Sequence, residues 1–452
     1  MSDPSQWLEC QAWLESRRKA SRMVCEPIDW SACDDWRFAD GALAHRTGRF
    51  FSIVGTRTPG SEAAGAGVEQ PFILQPEVGL LGFVVRREID GVSVLVQAKS
   101  EPGNVDLVQL APTVQATVSN YTRVHGGAAT PYLELFEDGA GGAQRRADST
   151  QSEQGTRFVG KFNRNALVRV GERSPEPVSD VWSWRAMGTL LDALGRDFAV
   201  NTDARSVLVC APWSEYCPGD APFARHHRKG GFGEALLRSY RAAEDESETS
   251  DAAIAAALAR WRARWPARME IVPLERLRAW RLEADGLFAR DGDGIDVRPF
   301  ETRATDREVA HWCQPLVAPR RREQVVLACQ ARRGVLHFLL RAAVEPGFTD
   351  GVQIGPSGQT REGEAPPDAL SCLLLDSDMG REEIGVLQSD EGGRFHHSVA
   401  RYRVVQLPEG EPIPDEGDGV WVTLAQIQTL ALRSGRLTNE ARSAISLLLT
   451  EL

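Results

Sequence analysis

The sequence predicts an α/β (α+β) fold built from two tandem homologous modules, in which mixed sheets are flanked by helices. One observation behind this prediction is an internal repeat, since Glu101-Pro102-Gly103 recurs 244 positions later as Glu345-Pro346-Gly347. Another is that short apolar runs with strand periodicity outnumber the segments with helical spacing. The chain has 452 residues, of which 42% are hydrophobic, so it is long enough to bury two cores.

The repeat extends along most of the chain and divides it into parts. Aligned pairs lie on both sides of the Glu-Pro-Gly block: Trp36 and Trp280, Gln75 and Gln314, Arg157 and Arg394, Trp182 and Trp421, and Arg205 and Arg442. We therefore expect an N-terminal helical arm at residues 1–26, a first module at 27–240, an acidic linker with a helix at 241–272, and a second module at 273–452.

Local periodicity predicts the elements of the first module. Apolar residues at helical spacing, followed by a basic end, predict a helix over residues 5–22. Apolar and alternating runs predict strands at residues 50–56, 80–85 and 92–98. The segment 138–156 is rich in Gly, Ala and Gln and is expected to be a loop, and residues 184–194 are expected to be a helix.

The linker and the second module follow the same rules. The acidic run 244–251 is expected to cap a helix over residues 252–265, which Pro266 ends. The two-strand pattern recurs at residues 324–330 and 335–340. Helical spacing returns at residues 424–432.

Charge and composition argue against several classes of protein. A net charge of −11 and a pI near 5.4 disfavour a general nucleic-acid binder, which needs a basic face. The eight cysteines include no Cys-x-x-Cys pair, so neither a disulfide framework nor a zinc site is indicated. The N-terminus does not have the pattern of a signal peptide, and no apolar run approaches the length of a membrane span. We expect a cytoplasmic protein with no nucleic-acid or membrane partner.

A polar block at residues 96–125 is the strongest candidate site. It contains Lys99, Glu101, Asn104, Gln109, Thr113, Gln115, Asn120, Tyr121, Arg123 and His125. The aligned copy has Ala343 in place of Lys99 and no counterpart of residues 120–125. The second module keeps a reduced polar set: Gln314, Glu345, Gln353, Ser357 and Gln359. We therefore expect the first module to hold the working site, and the second to be an inert relic that binds ligand.

These candidates also have structural interpretations. Lys99 can form an ion pair at a strand end. Glu101 can accept N–H bonds within its turn, and a structural role of this kind is favoured because the copy keeps Glu-Pro-Gly. Tyr121 and Arg123 lie two residues apart, so on an extended backbone they face one side, with His125 next along. Together they suit pyrophosphate binding and proton transfer, or else Tyr121 packs in a core and Arg123 pairs with an acid.

Two further segments could contribute to such a site. Tyr132 and Glu134 follow the block with the same alternation, and either the site or the core could use them. His226, Arg228 and Lys229 precede two glycines and a predicted helix, which suits an anion at a helix N-terminus or a solvated basic loop. The sequence contains no Gly-x-Gly-x-x-Gly after a strand, no phosphate-binding loop motif and no Gly-x-Ser-x-Gly.

Several segments resemble one protein family. Residues 74–79, 96–104, 108–117, 119–124 and 131–134 resemble the NDP-hexose 2,3-dehydratases of deoxysugar pathways, and the resemblance covers nearly the whole chain. It implies a nucleoside-diphospho-4-keto-6-deoxyglucose substrate, expected to be the dTDP sugar. A base removes the C3 proton, the C2 hydroxyl leaves, and the enol relaxes to a 3,4-diketo-2,6-dideoxy sugar. The resemblance also implies Nudix-like modules, a homodimer, a downstream 3-ketoreductase, and no cofactor or metal.

Under this resemblance the candidate residues receive roles. Lys99 or Tyr121 would contact the ketone oxygen, and Glu134 or His125 would act as base and acid. Arg57, Arg123 and the cationic cluster at residues 225–229 would hold the diphosphate. Other substrate contacts are expected from Gln75, Glu101, Asn104, Gln109, Thr113, Gln115, Asn120 and Tyr132.

Two rival functions remain open from the sequence. A Nudix-like nucleotide-sugar pyrophosphatase is disfavoured, because the nearest fragment of a Nudix box, at residues 381–385, lacks the paired downstream glutamates. A non-catalytic nucleotide-sugar-binding protein is disfavoured by the intact Lys99, Tyr121 and Arg123 of the first module.

Overall fold

The computed structural model describes most of the chain: residues 4–59, 67–89, 91–117, 130–137, 142–171, 174–217, 219, 221–224, 231–292, 294–305, 309–375, 380–413 and 418–452. Some predicted site residues lie outside these ranges: Asn120, Tyr121, Arg123, His125, His226, Arg228 and Lys229. Within the described ranges, no helix is long and apolar enough to cross a membrane.

Strands dominate the fold and the helices are mostly short. The helices are α1 (Pro4–Ser21), α2 (Met187–Ala193), α3 (Thr202–Val209), α4 (Phe232–Arg241), α5 (Asp251–Arg264), α6 (Ala369–Leu375), α7 (Leu424–Ala431) and α8 (Asn439–Ser446). Single 3₁₀ turns include Trp30–Ala32, Leu133–Phe136, Trp213–Tyr216, Glu244–Glu246, Leu274–Arg276 and Leu447–Glu451. The predicted mixed α/β class, dominated by sheets, is confirmed.

The strands fall in two series along the chain. The first series is β1 (Val24–Pro27), β2 (Trp36–Ala39), β3 (Ala42–His45), β4 (Ser52–Thr58), β5 (Val68–Leu74), β6 (Gly79–Glu88), β7 (Gly91–Ser100), β8 (Val108–Ala111), β9 (Val114–Ala116), β10 (Gln144–Ser152), β11 (Phe162–Val170) and β12 (Trp182–Ala186). The second is β13 (Glu270–Val272), β14 (Trp280–Glu283), β15 (Gly286–Ala289), β16 (Ile295–Arg303), β17 (His311–Pro319), β18 (Glu323–Arg332), β19 (Val335–Val344), β20 (Val352–Gly355), β21 (Gly358–Arg361), β22 (Arg381–Ser389), β23 (Val399–Gln406) and β24 (Gly419–Val422).

The first half of the chain (residues 4–240) and the second half (residues 241–452) each contain a large mixed sheet with the same pairing. In the first half the order is β10-β11-β6-β7-β12, with β8 on β7 and β9 on β6. In the second half β22-β23-β18-β19 is flanked by β20 and β24 on β19, with β21 on β18. One pair in each sheet is parallel, β11 with β6 and β23 with β18. The central strands are buried on both faces, which explains their continuous apolar runs.

Each half also has a small antiparallel sheet, and the two small sheets exchange a strand. The first contains β2, β3, β4 and β5, and it is completed by β13, where Glu270 lies opposite Arg57. The second contains β14, β15, β16 and β17, and it is completed by β1, where Val24 lies opposite Arg303. Each half of the chain therefore supplies one edge strand to the other half.

The turn Glu101-Pro102-Gly103 is a contact point between the halves. The N–H of Gly103 donates to the carbonyl oxygen of Gly392 at 2.8 Å, and the carbonyl of Gly103 accepts from the N–H of His397 at 2.8 Å. A Cβ atom on Gly103 would lie 1.6 Å from the carbonyl oxygen of Phe395. Only glycine allows the two backbones to approach this closely.

The repeated turn at Gly347 makes the corresponding contacts from the second half of the chain to the first. Its N–H donates to Gly155 at 2.7 Å, and its carbonyl accepts from Gly160 at 2.8 Å. A Cβ atom there would lie 1.9 Å from the carbonyl oxygen of Phe158. The Glu-Pro-Gly motif therefore recurs because the same backbone contact is made on both sides of the molecule.

Helices α3 and α8 pack against each other where the two halves meet. Arg205 Nε donates to Ser443 Oγ at 3.2 Å, and Arg442 Nε donates to Ser206 Oγ at 2.9 Å. Both arginine side chains are fully buried, and their other N–H groups donate to backbone carbonyls. These bonds fix the first turn of α3, where part of the candidate site lies.

Several predicted elements are confirmed and two are corrected. The helix at 5–22, the strands around 50–56, 80–85, 92–98, 324–330 and 335–340, the helix 252–265 and the helix 424–432 are all present. The expected loop at 138–156 is wrong over Gln144–Ser152, which forms β10, an edge strand paired only with β11 among the described strands. The polar residues of this segment suggest a loop, but they are also typical of an edge strand, which has one side exposed to solvent.

The predicted helix at 184–194 is wrong over residues 184–186 and confirmed from residue 187. Residues Trp182–Ala186 form β12, which pairs with β7, and the helix begins only at Met187. Trp182 and Trp184 alternate with Ser183 and Arg185, a period of two that is typical of a strand. The helical spacing of the following residues hid this boundary.

Candidate active site

A cavity of about 630 Å³ lies between the large sheet of the first half and segments of both small sheets. Its floor is lined by residues from β7, β9 and α3 of the first half. Residues of β17 and the segment 391–394, both from the second half, line another side. The cavity is therefore assembled from both halves of the chain, and its size suits a small-molecule ligand.

The floor of the cavity is a chain of hydrogen bonds that begins at the end of β7. Lys99 Nζ donates to the carbonyl oxygen of Gln115 at 3.1 Å. The side chain of Gln115 donates to Glu101 Oε1 at 3.0 Å and accepts from Asn201 Nδ2 at 2.9 Å. Asn201 is also the N-cap of α3, since its side chain accepts from the N–H of Ala204. The network ties the polar block to the start of α3.

Asp203, in the first turn of α3, is a buried carboxyl that lines the cavity. Burial is the largest cause of a pKa for Asp203 that lies well above its usual range. Neighbouring carboxylates raise that pKa further, those of Glu391, Glu153 and Glu101, while Lys99 lowers it. This shift favours the protonated form of the Asp203 carboxyl, which is the form that can donate a proton.

The second half contributes a carboxyl and a guanidinium to the same cavity. Burial is the main cause that raises the pKa of Glu391 to about 7, and Arg394 opposes it. Arg394 Nε donates to Gln75 Oε1 at 3.2 Å, and its guanidinium lies 4.4 Å from the ring centre of Phe51. Gln314 Nε2 donates to the carbonyl oxygen of Gly393 at 2.8 Å, which holds the segment in place.

Aromatic side chains surround another part of the cavity. The rings of Trp36 and Phe51 lie 4.8 Å apart, those of Trp36 and His45 5.6 Å, and those of His45 and Phe50 4.4 Å. Trp182 and Trp312 also line the cavity. Flat aromatic surfaces of this kind suit a ligand that carries a heterocyclic base.

The cavity brings together part of the predicted site. Its lining includes the predicted residues Gln75, Lys99, Glu101, Thr113, Gln115 and Gln314. The hydroxyl of Thr113 donates to the carbonyl of Leu95 in β7 and accepts from the N–H of Val84 in β6. It therefore joins these two strands to the turn between β8 and β9. Thr113 thus shapes the cavity wall with a hydroxyl that is already engaged.

Other predicted residues lie outside the lining. Arg57 forms an ion pair with Glu69, with Nη2 2.7 Å from Oε1. Tyr132 is buried, and its hydroxyl donates to the carbonyl of Glu176 and accepts from the N–H of Val178. Glu134 is exposed on the turn Leu133–Phe136.

Asn104 and Gln109 are buried at contacts between the halves. Gln109 Nε2 donates to Ser389 Oγ at 2.7 Å. Asn104 Nδ2 lies 3.4 Å from Glu101 Oε2, and the backbone of Gly392 packs directly on its side chain. Both contacts give these amides a role in joining the halves.

Gln314 was expected in the binding set of the second module, but β17 brings it into the lining of the cavity. The other predicted residues of the second half lie in a counterpart region, related to the cavity by the repeat. Gln353 accepts from Ser152 Oγ at 2.7 Å, and Ser357 Oγ donates to the carbonyl of Leu339 at 2.6 Å. The aligned residues of the first half make similar bonds, Gln109 with the hydroxyl of Ser389 and Thr113 with the carbonyl of Leu95. Gln359 Nε2 donates to Glu323 Oε2 at 3.3 Å.

Burial raises the pKa of Glu345 well above its usual range in the counterpart region, and raises the pKa of Glu440 to about 7. One oxygen of each of these carboxyls and both amide atoms of Gln154 are buried without a hydrogen-bond partner among the described residues. Arg157 lies beside them, with Nη2 3.4 Å from Glu323 Oε1.

Sequence reasoning missed Asp203, Glu391 and Arg394. A signal was present, because Arg394 aligns with Arg157 and Asp203 directly precedes the repeated Ala204-Arg205-Ser206. Among the described residues, no group of three or more His, Cys, Asp or Glu side chains is arranged to hold a metal ion. A half-buried lysine, a buried carboxyl with a raised pKa and a second titratable carboxyl lie beside an aromatic wall. This arrangement suits acid–base chemistry on a small polar ligand.

Comparison with known proteins places this site in a family. The family model for NDP-hexose 2,3-dehydratase matches residues 8–211 and 251–448. The chain belongs to the NDP-hexose 2,3-dehydratase family.

Characterised relatives carry one name, dTDP-4-dehydro-6-deoxy-alpha-D-glucopyranose 2,3-dehydratase. The relative from Saccharopolyspora spinosa is 35% identical over 97% of this chain and 90% of its own length. Those from Streptomyces violaceoruber and Amycolatopsis orientalis are 34% and 32% identical, over 96% and 97% of this chain and 95% and 89% of their own lengths.

Proposed function

We propose that this protein is an NDP-4-keto-6-deoxyhexose 2,3-dehydratase, a lyase that acts on dTDP-4-keto-6-deoxy-D-glucose. The names of its relatives support this substrate. The observation that carries the proposal is the grouping of Lys99, Asp203 and Glu391 in one cavity with an aromatic wall. A dehydration next to a ketone needs a base, an acid and an oxyanion donor, and these side chains can supply all three.

The C4 ketone makes the neighbouring C3 proton acidic. Removal of that proton gives an enediolate, and loss of the C2 hydroxyl as water gives an enol that conjugates with the C4 ketone. The enol then takes up a proton at C2 and becomes the 3,4-diketo-2,6-dideoxy sugar nucleotide. No electron is exchanged with a carrier, so we propose that no NAD(P) or flavin takes part. We propose that no metal takes part either, because Lys99 can stabilise the enediolate oxygen.

We assign the roles from charge state and position. Lys99 donates to the C4 oxygen as negative charge develops there. Asp203, whose raised pKa favours the protonated form, gives its proton to the departing C2 oxygen. Glu391, with a pKa near 7, removes the C3 proton. Glu134 is exposed outside the lining, so Glu391 replaces it here, while Tyr121 and His125 remain candidates for the oxyanion and base roles.

The remainder of the cavity suits the nucleotide. The aromatic group formed by Trp36, His45, Phe50 and Phe51 is proposed to stack on the thymine ring. Arg394 supplies a cation that faces the cavity beside Gln75. Arg123 and the cluster at residues 225–229 remain proposed diphosphate contacts.

Larger-scale features of the family expectation are part of this proposal. Matching sheet topologies support two tandem modules at residues 27–240 and 273–452, which we propose to be Nudix-like. The counterpart region of the second module is proposed to bind nucleotide without turnover. We further propose a cytoplasmic homodimer whose unstable diketo product passes to a 3-ketoreductase.

Incubation with dTDP-4-keto-6-deoxyglucose in deuterium oxide tests the function. Mass spectrometry should show the loss of one water, NMR should show solvent deuterium at C2, and o-phenylenediamine should trap the vicinal diketone. The reaction should proceed equally with EDTA. Release of dTMP would instead indicate a pyrophosphatase, and binding without any conversion would indicate a carrier protein.

A further inference from the structure

Two cysteines from opposite halves of the chain meet in the wall of the cavity. Cys33 follows the turn Trp30–Ala32 and is fully buried. Cys313 lies on β17, is partly exposed and lines the cavity. The two side chains are hydrogen-bonded to each other, within an apolar cluster that contains residues of both small sheets. The sulfur atoms are therefore neighbours, although 279 residues separate them in the chain.

Their surroundings make the two thiols chemically unequal. The hydrogen bond from Cys33 is the main cause that lowers the pKa of Cys313 to about 7; burial opposes it, and a hydrogen bond from the backbone N–H of Asp35 assists it. The same contact, followed by burial, raises the pKa of Cys33. At neutral pH Cys313 is thus partly a thiolate that faces the cavity, and Cys33 is a thiol behind it. A low-pKa accessible cysteine beside a resolving cysteine is typical of redox-sensitive pairs.

We propose that Cys33 and Cys313 form a reversible disulfide on exposure to a peroxide, and that this bond lowers the activity of the adjacent site. The Cys313 thiolate attacks one peroxide oxygen and breaks the O–O bond, which yields a sulfenic acid and hydroxide. The Cys33 sulfur then attacks the sulfenic sulfur, forms the S–S bond and releases a second hydroxide. The proton of Cys33 and the proton that Cys313 released to solvent on ionising convert the two hydroxides to water. The two sulfur atoms lose two electrons in total, which the peroxide takes up.

The bond would act on the cavity through neighbouring residues. Cys313 stands between Trp312 and Gln314, which both line the cavity. Trp36 Nε1 donates to the carbonyl oxygen of Cys313 at 3.0 Å, and Trp36 lies three residues beyond Cys33. A disulfide has narrow geometric requirements, so its formation shifts both backbones and the aromatic wall that they carry.

The full-length protein, treated with dilute hydrogen peroxide and then with iodoacetamide, tests the proposal. Non-reducing peptide mapping should reveal one peptide pair that joins residues 33 and 313, and dithiothreitol should remove it. Recovery of Cys313 as an alkylated thiol or a sulfinic acid, without the linked pair, overturns the proposal. This measurement needs no substrate, so it decides the thiol chemistry even if the proposed dehydratase activity is absent.

Variants test the partner and the effect on turnover, each normalised to its own reduced form. In Cys33→Ser, peroxide should convert Cys313 to higher oxidation states that dithiothreitol does not reverse. Cys372→Ser removes an exposed thiol elsewhere and should leave the linked pair unchanged. The oxidised wild type should lose most of its turnover with the dTDP sugar and regain it with dithiothreitol. Full turnover in a protein that mapping shows to be linked would refute the inhibitory effect.

Discussion

The cavity and its counterpart region share a framework but differ in their reactive groups. Pairs that hold the framework are kept or nearly kept: Glu101 and Glu345, Gly103 and Gly347, Gln109 and Gln353, and Thr113 and Ser357. Three aligned positions differ in charge or in side-chain length. Lys99 corresponds to Ala343, Asp203 to Glu440, and Glu391 to Gln154. The comparison teaches that the repeated residues mainly join the halves, while the titratable groups proposed for the reaction occupy the positions that differ.

Replacement of Asp203 should give the largest effect. Asp203→Asn keeps the size of the side chain and resembles the uncharged form that the raised pKa favours, so the fold should be retained, but the amide cannot protonate the leaving oxygen. We expect kcat to fall by about 10²–10⁴-fold, with little change in nucleotide affinity. The matched change Glu440→Gln should leave kcat within a few-fold of wild type. Equal losses in both variants would remove the distinction between the two regions.

Lys99→Met removes a charge at similar volume and makes residue 99 apolar, like the aligned Ala343. Loss of one oxyanion donor commonly costs about 2.7–4 kcal/mol, so kcat should fall by about 10²–10³-fold. Tyr121→Phe, measured beside it by steady-state kinetics, tests the alternative donor. Wild-type kcat in Lys99→Met together with a large loss in Tyr121→Phe would transfer the oxyanion role to Tyr121.

The pH dependence separates the two carboxyls. As a base Glu391 must be ionised, so activity should be lost as the pH falls through about 7. As an acid Asp203 must be protonated, so activity should be lost as the pH rises through its raised pKa. Glu391→Gln, which installs the residue found at position 154, should lower kcat by about 10²-fold and remove the acidic limb of the profile. An unchanged acidic limb in a folded variant would exclude Glu391 as the base.

Paired glycine substitutions test the shared framework. In Gly103→Ala and Gly347→Ala the new Cβ atom would collide with a backbone carbonyl, at 1.6 Å and 1.9 Å. Both should therefore lower the free energy of unfolding by similar amounts, about 1–3 kcal/mol or more. Only Gly103→Ala should also reduce kcat in the folded fraction, because it displaces the segment that carries Glu391 and Arg394. Thermal and urea unfolding measure the first effect, and initial rates the second.

The smallest effect is expected in the counterpart region. Gln359→Leu, in the second half, should leave kcat close to wild type, since Gln359 contacts Glu323 away from the cavity. Gln115→Leu breaks the bonds to Glu101 and Asn201, and so should reduce kcat clearly. Calorimetric titration with dTDP should show one tight site, or two unequal sites per chain. A collapse of turnover in folded Gln359→Leu would contradict the proposal that the second site is inert.

Sequence reasoning reached the parts of the site that are local in the chain. The polar block at residues 96–125, of which the structure describes residues 96–117, can be recognised because Lys99, Glu101 and Gln115 lie close together in the sequence. Asp203 and Glu391 were missed, because they come from a helix start and a turn that only the packing of α3, β10 and β22 brings near Lys99. The absence of a Lys99 counterpart in the copy is informative, since it distinguishes the half to which we assign the reaction.

The candidates that lie outside the cavity were also misplaced because contacts between distant segments are not visible in the sequence. Tyr132 and Glu134 alternate like residues on one face, yet Tyr132 packs inward and Glu134 lies on the surface of a 3₁₀ turn. Arg57 looked available for a phosphate, but β13 from the second half brings a partner strand beside it, and Glu69 pairs with its guanidinium. Contacts between distant segments determine where these side chains lie, and such contacts cannot be read from a single sequence.

The exchanged strands β1 and β13 have a consequence for what evolution can remove. If the second half were deleted, the first half would lose β13, the wall formed by β17, and the turn that carries Glu391 and Arg394. The second half is therefore a scaffold that the first half needs, whether or not its own counterpart region binds a ligand. Substitutions in that region are tolerable, whereas loss of its backbone is not. Separate expression of the two halves should give unfolded chains that recover together when mixed, as two interlocked subunits of one ancestral pair would.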